Sequence, residues 1–274
     1  MTAAQIVVRS GLKLAVHDSG GDGVPFVLQH GLCGSAAQTA EVMPHAAGVR
    51  RLTLECRGHG ASDAGDPSQF SIATFHDDLA WLIQEHLDAP AIIGGISMGA
   101  AIATRFAVTH PKSVRALIIA RPAWVTRAAP DNMRPYLEAG KLLARHPADR
   151  ARHLFGASPT ALRLAAQAPD NLASLDGFFS RVPQAVTAEL LMRIAVDGPG
   201  VSAADLGRVA FPVLIIGHRR ELAHPFAACQ ELAALLPRAR LVEITPKAAD
   251  KAAYLSDFQA ALAAFLKDIL DGPT

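Results

Sequence analysis

Residues 91–101 read "AIIGGISMGAA", and this stretch limits the possible folds more than any other. A short β-branched run ends on two glycines, one residue separates them from Ser97, and a run of small helix-forming residues begins at once. Gly95-Ile96-Ser97-Met98-Gly99 fits G-x-S-x-G, a strand-to-helix turn so tight that β-carbons cannot be accommodated beside the serine. Such a turn pushes the hydroxyl out above a sheet edge. The helix N-terminus behind it offers a positive dipole end to developing negative charge. The plain alternative is an ordinary βα turn that happens to carry a serine, and the strand-turn-helix context argues against it. The glycines lack the G-x-G-x-x-G spacing and no Walker lysine follows, so nucleotide binding is disfavoured.

The rest of the chain supplies the sheet that such a turn needs. "AQIVVRSG" and "LKLAVHDSGG" are β-rich runs ending in glycine and predict a hairpin. "FVLQHG", "RRLTLEC", "APAIIGG" and "VRALIIA" predict strands, with a helix from about Ser71 to His86 and another over "AAIATRFAVTH". The rhythm breaks after "ARPAW". Residues 125–208 hold only helical candidates, and then "FPVLIIG", "FAACQELAALL", "ARLVEIT" and a last long helix restore it. Strands alternating with helices imply right-handed crossovers and a mostly parallel sheet covered on both faces. The predicted architecture is therefore an α/β core, residues 1–124 and 209–274, with a helical insertion over 125–208.

Composition excludes some functions. Half the 274 residues are hydrophobic, 19% are charged and the formal net charge is +1. That balance gives no reason to expect nucleic acid or an anionic membrane as partner. Cys33, Cys56 and Cys229 lie far apart, with no metal-ligand spacing, which favours a reduced, cytoplasmic setting. The first residues show no secretory pattern, and no apolar stretch approaches a bilayer-spanning length. Neither a metal nor another cofactor is expected, and the oligomeric state is open.

Two more motifs stand where a serine catalyst needs them. "FVLQHGLCGS" ends a strand on His30-Gly31-Leu32, upstream of the elbow where an oxyanion loop belongs. The backbone N–H groups of Leu32 and Met98 could together hold an oxyanion. In "LECRGHGASD", His59 sits in a Gly-rich loop, where a structural role bonding backbone around the turn is the expectation.

Taken in order, "HGLCGS", "RGHGASD", "GGISMGAA", "FPVLIIG" and the terminal strand-helix pair resemble the α/β-hydrolase-fold superfamily, in its esterase, lactonase and haloperoxidase-like group. The resemblance covers nearly the whole chain. It implies that Ser97 stands at the nucleophile position, that Leu32 and Met98 donate the oxyanion bonds, and that the helical stretch is a cap. Glu55 replaces the aspartate usual before the "RGHG" loop.

The other two triad positions depart from the family. Arg220 stands at the family acid position, with Glu221 beside it, and Asp250 stands at the family histidine position in "PKAAD". No histidine occurs after His224. A serine hydroxyl without a base is a weak nucleophile, and three readings follow. Arg220 and Asp250 could pair with reversed polarity. A relocated imidazole, His218 or His224, could serve Ser97 with Glu221 or Asp250 orienting it, although the family geometry aims that loop away from the serine. Asp250 could itself be the acid or base, which suits elimination, isomerisation or cyclisation better than ester hydrolysis.

The expected partner is a small ester, lactone, thioester or carbonyl compound. His218, Arg219, Arg220, Lys247 and Lys251 on the rim loops could hold an anionic substrate, or simply form a solvated surface neutralised by Glu221 and Asp250. Trp124, Phe178 and Phe179 could line an apolar pocket or pack between cap and core. The alternatives to a hydrolase are a lyase, cyclase or isomerase using Asp250, and a degenerate ligand-binding protein.

Overall fold

The structure is a computed structural model that describes residues 4–44 and 48–272. Eight strands form one sheet: β1 (Gln5–Arg9), β2 (Leu12–Asp18), β3 (Val24–Gln29), β4 (Val49–Leu54), β5 (Ala91–Ile96), β6 (Val114–Ala120), β7 (Val213–Gly217) and β8 (Ala239–Glu243). Their order is β1-β2-β4-β3-β5-β6-β7-β8. β1 and β2 make the hairpin read from the sequence, closed at Ser10 and Gly11, both at positive φ as a tight twisted turn requires. β2 also runs antiparallel to β4, and every later pairing is parallel.

The central strands are apolar on both sides because both faces are covered. Along β6, Leu117 and Ile119 enter one hydrophobic cluster, and Ile118 and Ala120 enter the other. The first cluster packs Val27, Ile93 and Ile215 against Phe75 and Leu79 of α2 (Ile72–His86) and Ile102 and Phe106 of α3 (Met98–Thr109). Each such side chain taken fully out of water contributes about 1.5–3 kcal/mol. The sequence gives no signal for the short helix α1 (Ala36–Val42), whose seven residues are too few to show a period. Ser35 caps it by accepting from the Ala37 N–H.

Between β6 and β7 come six helices: α4 (Arg134–Arg145), α5 (Ala148–Gly156), α6 (Pro159–Gln167), α7 (Pro169–Phe178), α8 (Gln184–Ala195) and α9 (Ala203–Leu206). Their buried residues, among them Leu143, Phe155, Leu164 and Leu191, belong to the same cluster as the strands beneath. Trp124 and Phe179 are buried packing residues here, and Phe178 is half-buried against Tyr136. After β7 follow α10 (Phe226–Leu235) and α11 (Lys251–Asp271). Phe258, Leu262 and Phe265 of α11 cover the second face with Phe26, Ile92 and Leu214. No helix among the described residues is long and apolar enough to cross a membrane.

Candidate active site

The carboxyl ends of β3, β5, β6 and β7 lie side by side, the place where open α/β sheets bind ligands. β5 ends there on the sharp turn that the glycines predict. Ser97 sits at φ 55°, ψ −112°, a conformation L-residues avoid unless the surroundings enforce it. A Cβ on Gly95 would come within 2.0 Å of the Gly99 carbonyl, and one on Gly99 within 2.4 Å of the Gln29 carbonyl oxygen. No side chain fits at either position, so strand, turn and helix close up and leave the serine protruding. The Ser97 N–H is tied to the Ala120 carbonyl at 3.0 Å.

The imidazole that meets this hydroxyl is His224. Its Nε2 lies 2.7 Å from Ser97 Oγ, and its Nδ1 hydrogen-bonds Glu221 Oε1. Both residues come from the loop that joins β7 to α10, where "ELAH" places acid and imidazole three residues apart. The loop is bent inward by two asparagines. Asn171 Oδ1 accepts from the Leu222 and Ala223 N–H groups at 3.0 and 2.9 Å, and its Nδ2 donates to Glu221 Oε1 at 3.1 Å. Asn132 Nδ2 donates to the Ala223 and Ala123 carbonyls at 2.7 and 2.9 Å. These bonds turn the chain so that His224 faces the serine, against the expectation that this loop aims elsewhere.

The residues standing at the family's own triad positions are not brought together. Asp250 is exposed and caps α11, accepting from the Ala252 and Ala253 N–H groups at 2.9 and 3.0 Å. Arg220 is exposed, and no ion pair between it and Asp250 exists among the described residues. The expected Arg220–Asp250 pair is thereby corrected. The carboxylate serves a helix end instead, which needs it for two otherwise unpaired N–H groups. Arg219 pairs with Glu243 at 2.9 Å and Lys251 with Glu41 at 3.0 Å, while His218 is fully buried.

His218 instead backs the acid, with Nε2 3.0 Å from Glu221 Oε2. Arg121, buried at the end of β6, donates from Nε to Oε2 at 2.9 Å and from Nη2 to Oε1. Burial opposes ionisation of Glu221, but Arg121, His224 and His218 outweigh it and hold the carboxyl well below the usual carboxylate range. An ionised Glu221 can only accept, so His224 Nδ1 must carry the proton and Nε2 is free to accept from Ser97. Burial pushes His224 below the ordinary imidazole range. Glu221 opposes this, and Arg121 and His218 reinforce it. A neutral imidazole with its lone pair on the serine is what a general base requires.

The loop after β3 lies alongside. A Cβ on Gly31 would sit 3.5 Å from Ser97 Cβ, which places Leu32 next to the elbow. Two histidines hold this loop. His30 Nδ1 donates to the Gly31 carbonyl and its Nε2 accepts from the Cys56 N–H, at 2.8 and 3.0 Å. His59 Nδ1 donates to the Arg57 carbonyl and its Nε2 accepts from the Cys33 N–H, at 2.9 and 3.0 Å. Burial holds both below the ordinary imidazole range, and so neutral. Glu55 joins the same loops, taking the Ala36 N–H at 2.9 Å and the Ala61 N–H at 2.7 Å.

The alpha/beta hydrolase fold family model matches residues 24–273. The chain belongs to that family. Among curated α/β-hydrolase relatives, it is 31% identical over 264 residues to a pimeloyl-[acyl-carrier protein] methyl ester esterase of Chromobacterium violaceum, covering 90% of this chain and 96% of that one. It is 29% identical over 245 residues to a Mycobacterium tuberculosis protein named non-heme bromoperoxidase BpoC, covering 85% and 89%. The enol-lactonase from Burkholderia xenovorans LB400 superposes with a TM-score of 0.71 at 22% identity, covering 98% of this chain and 100% of that one. In this α/β hydrolase Ser97 sits on the turn between β5 and α3. The imidazole beside it comes from the loop after β7 instead of the loop after β8.

Asp170, His218 and Glu221 bring ligand-type atoms within 4.8 Å of one another. They make a poor cation site, because the Glu221 oxygens already accept from Arg121, His224 and Asn171, and the guanidinium opposes a second positive charge there. A cavity of about 640 Å³ lies on the Glu221 side, lined by Asn132, Arg134, Arg163 and Leu222 among others. Ser97 does not line it.

Proposed function

We propose that this α/β hydrolase cleaves a small carboxylic ester, lactone or thioester through an acyl-enzyme, using Ser97, His224 and Glu221. The observation that carries the reading is the chain of contacts from Ser97 Oγ to His224 Nε2 and from His224 Nδ1 to Glu221. It supplies nucleophile, base and orienting acid in the arrangement acyl transfer needs. The esterase named among its relatives supports the substrate class.

In this mechanism Ser97 Oγ attacks the acyl carbon and gives its proton to His224 Nε2. The carbonyl oxygen becomes an oxyanion, held by the Leu32 and Met98 N–H groups. Collapse breaks the bond to the leaving alcohol or thiol, which takes the proton from His224. Water then repeats the attack on the acyl-enzyme with His224 as base, releasing the acid and restoring Ser97. Glu221 stays ionised throughout, holding the tautomer and countering the imidazolium. The helical insertion acts as a cap whose Asn171 holds the catalytic loop in place.

The test is hydrolysis of short-chain p-nitrophenyl esters by wild type and Ser97→Ala, with mass spectrometry after treatment with a fluorophosphonate. The expected result is turnover in wild type, a loss of about a thousandfold or more in Ser97→Ala, and one adduct on Ser97. Equal rates in both proteins would overturn the reading.

A further inference from the structure

The serine mechanism needs an acid to orient His224, but it does not need an arginine forked onto that acid. Arg121 is nevertheless placed with unusual care. It follows β6 at φ 45°, a left-handed backbone that a long side chain adopts only under constraint. Its own N–H donates to the Ile216 carbonyl at 2.7 Å, and the preceding carbonyl, that of Ala120, accepts from the Ser97 N–H. The elbow and Arg121 are thus neighbouring strand ends locked to each other. From there the guanidinium grips both Glu221 oxygens. Its Nη1 donates to Tyr254 Oη at 3.4 Å, and the Tyr254 ring centroid is 5.8 Å from Cζ. Its Nη2 also stands 3.4 Å from His224 Nδ1. Since that nitrogen already carries the proton given to Glu221, the approach is a charge beside the imidazole and not a hydrogen bond.

We propose, on the serine reading above, that Arg121 is a positioning residue that fixes the Glu221 carboxylate and sets the lower pH limit of catalysis by opposing a resting imidazolium at His224. Left alone, a buried carboxylate in contact with an imidazole favours the ion pair, in which Nε2 is protonated and cannot take the serine proton. The guanidinium offsets that pull in the resting enzyme. The other groups facing the pair do less. His218 contacts Glu221 from the same loop, Asp170 approaches His218 from α7, and Tyr136 of α4 feels both Glu221 and Arg121 while burial pushes its phenol up. Tyr254 of α11 is likewise pushed up by burial and stays neutral, and Arg121 is the guanidinium in direct contact with the pair. The lowering of His224 described above has this guanidinium among its causes.

The experiment is the pH dependence of kcat/KM, which reports ionisations of the free enzyme, for a p-nitrophenyl ester in wild type, Arg121→Met and Arg121→Lys. Arg121→Met should move the acid limb upward by about one to two pH units, so that activity lost near pH 6 returns by pH 9. Arg121→Lys keeps the charge and should keep the limb near wild type with a lower plateau. A plateau lowered at every pH with an unmoved limb would reduce Arg121 to a structural residue and overturn the proposal. Should the Met variant not fold, NMR titration of His224 in Ser97→Ala decides instead. An imidazole that titrates below pH 6.5 is expected, and one that titrates at or above 6.5 overturns it. Failure of the serine reading itself would show differently, as His224→Ala retaining activity.

Discussion

His224 Nε2 stands 2.7 Å from Ser97 Oγ across 127 residues of chain, and the imidazole is delivered by the same short loop that carries its acid partner, Glu221. An i, i+3 spacing in a loop is compact enough for both groups only because Asn171 and Asn132 hold the intervening backbone. The loop after β8, relieved of a histidine, keeps Asp250 for α11.

Glu221→Gln tests the acid. An amide beside Nδ1 no longer fixes the tautomer or counters the imidazolium, so kcat should fall by about 10³–10⁴-fold with a folded protein. Steady-state kinetics together with circular dichroism check both halves of this expectation.

Asn171→Ala tests the grip of the helical insertion on the catalytic loop. It leaves the Leu222 and Ala223 N–H groups without their acceptor. Unpaired buried donors cost about 1–3 kcal/mol, so the melting temperature should drop by several degrees. Activity should fall at least tenfold, because His224 is no longer held on Ser97. Thermal denaturation and ester turnover on the same preparation read the two effects.

Gly99→Ala tests the elbow. The added methyl meets the Gln29 and His30 carbonyl oxygens at 2.4 and 2.7 Å, backbone atoms that cannot swing aside. A loss of about 3 kcal/mol or more is expected, seen as insoluble protein or a sharply lowered melting temperature. A variant as stable as wild type would contradict the close packing of turn on strand.

Acid should destabilise the fold before the carboxylates titrate. His30 and His59 are buried and held below the ordinary imidazole range, whereas in the unfolded chain they take up protons near pH 6.5. The unfolded state then binds more protons, so stability falls as pH drops below about 6.5. Each group contributes at most about 1.4 kcal/mol per pH unit in that window. Denaturant midpoints measured from pH 8 to 5 should therefore decline below neutrality.

The sequence revealed the sheet and the elbow because each rests on local signals. β-branched runs, glycines bounding Ser97 and helix periods all act within a dozen residues. The structural reading of His59 has the same origin, in its Gly-rich turn. The imidazole partner was not legible in the same way. In sequence His224 is one of two relocated candidates, and the family positions hold Asp250 and Arg220. What brings His224 inward is Asn171, more than fifty residues upstream in a helix whose sequence gives no hint of that contact. Arg121 carries no sequence signal for a similar reason. It follows an apolar strand, where a buried guanidinium is unexpected until its carboxylate partner is seen. The one usable signal was "ELAH" itself, an acid and a histidine spaced to share a turn.

The most direct test compares kcat/KM for a p-nitrophenyl ester in His224→Ala and Asp250→Ala. His224→Ala should lose about three orders of magnitude or more. Asp250→Ala should stay within a few-fold of wild type and lose only about 1 kcal/mol of stability, from the cap of α11. The reverse pattern, an active His224→Ala and a dead Asp250→Ala, would contradict the assignment of the base to the β7–α10 loop.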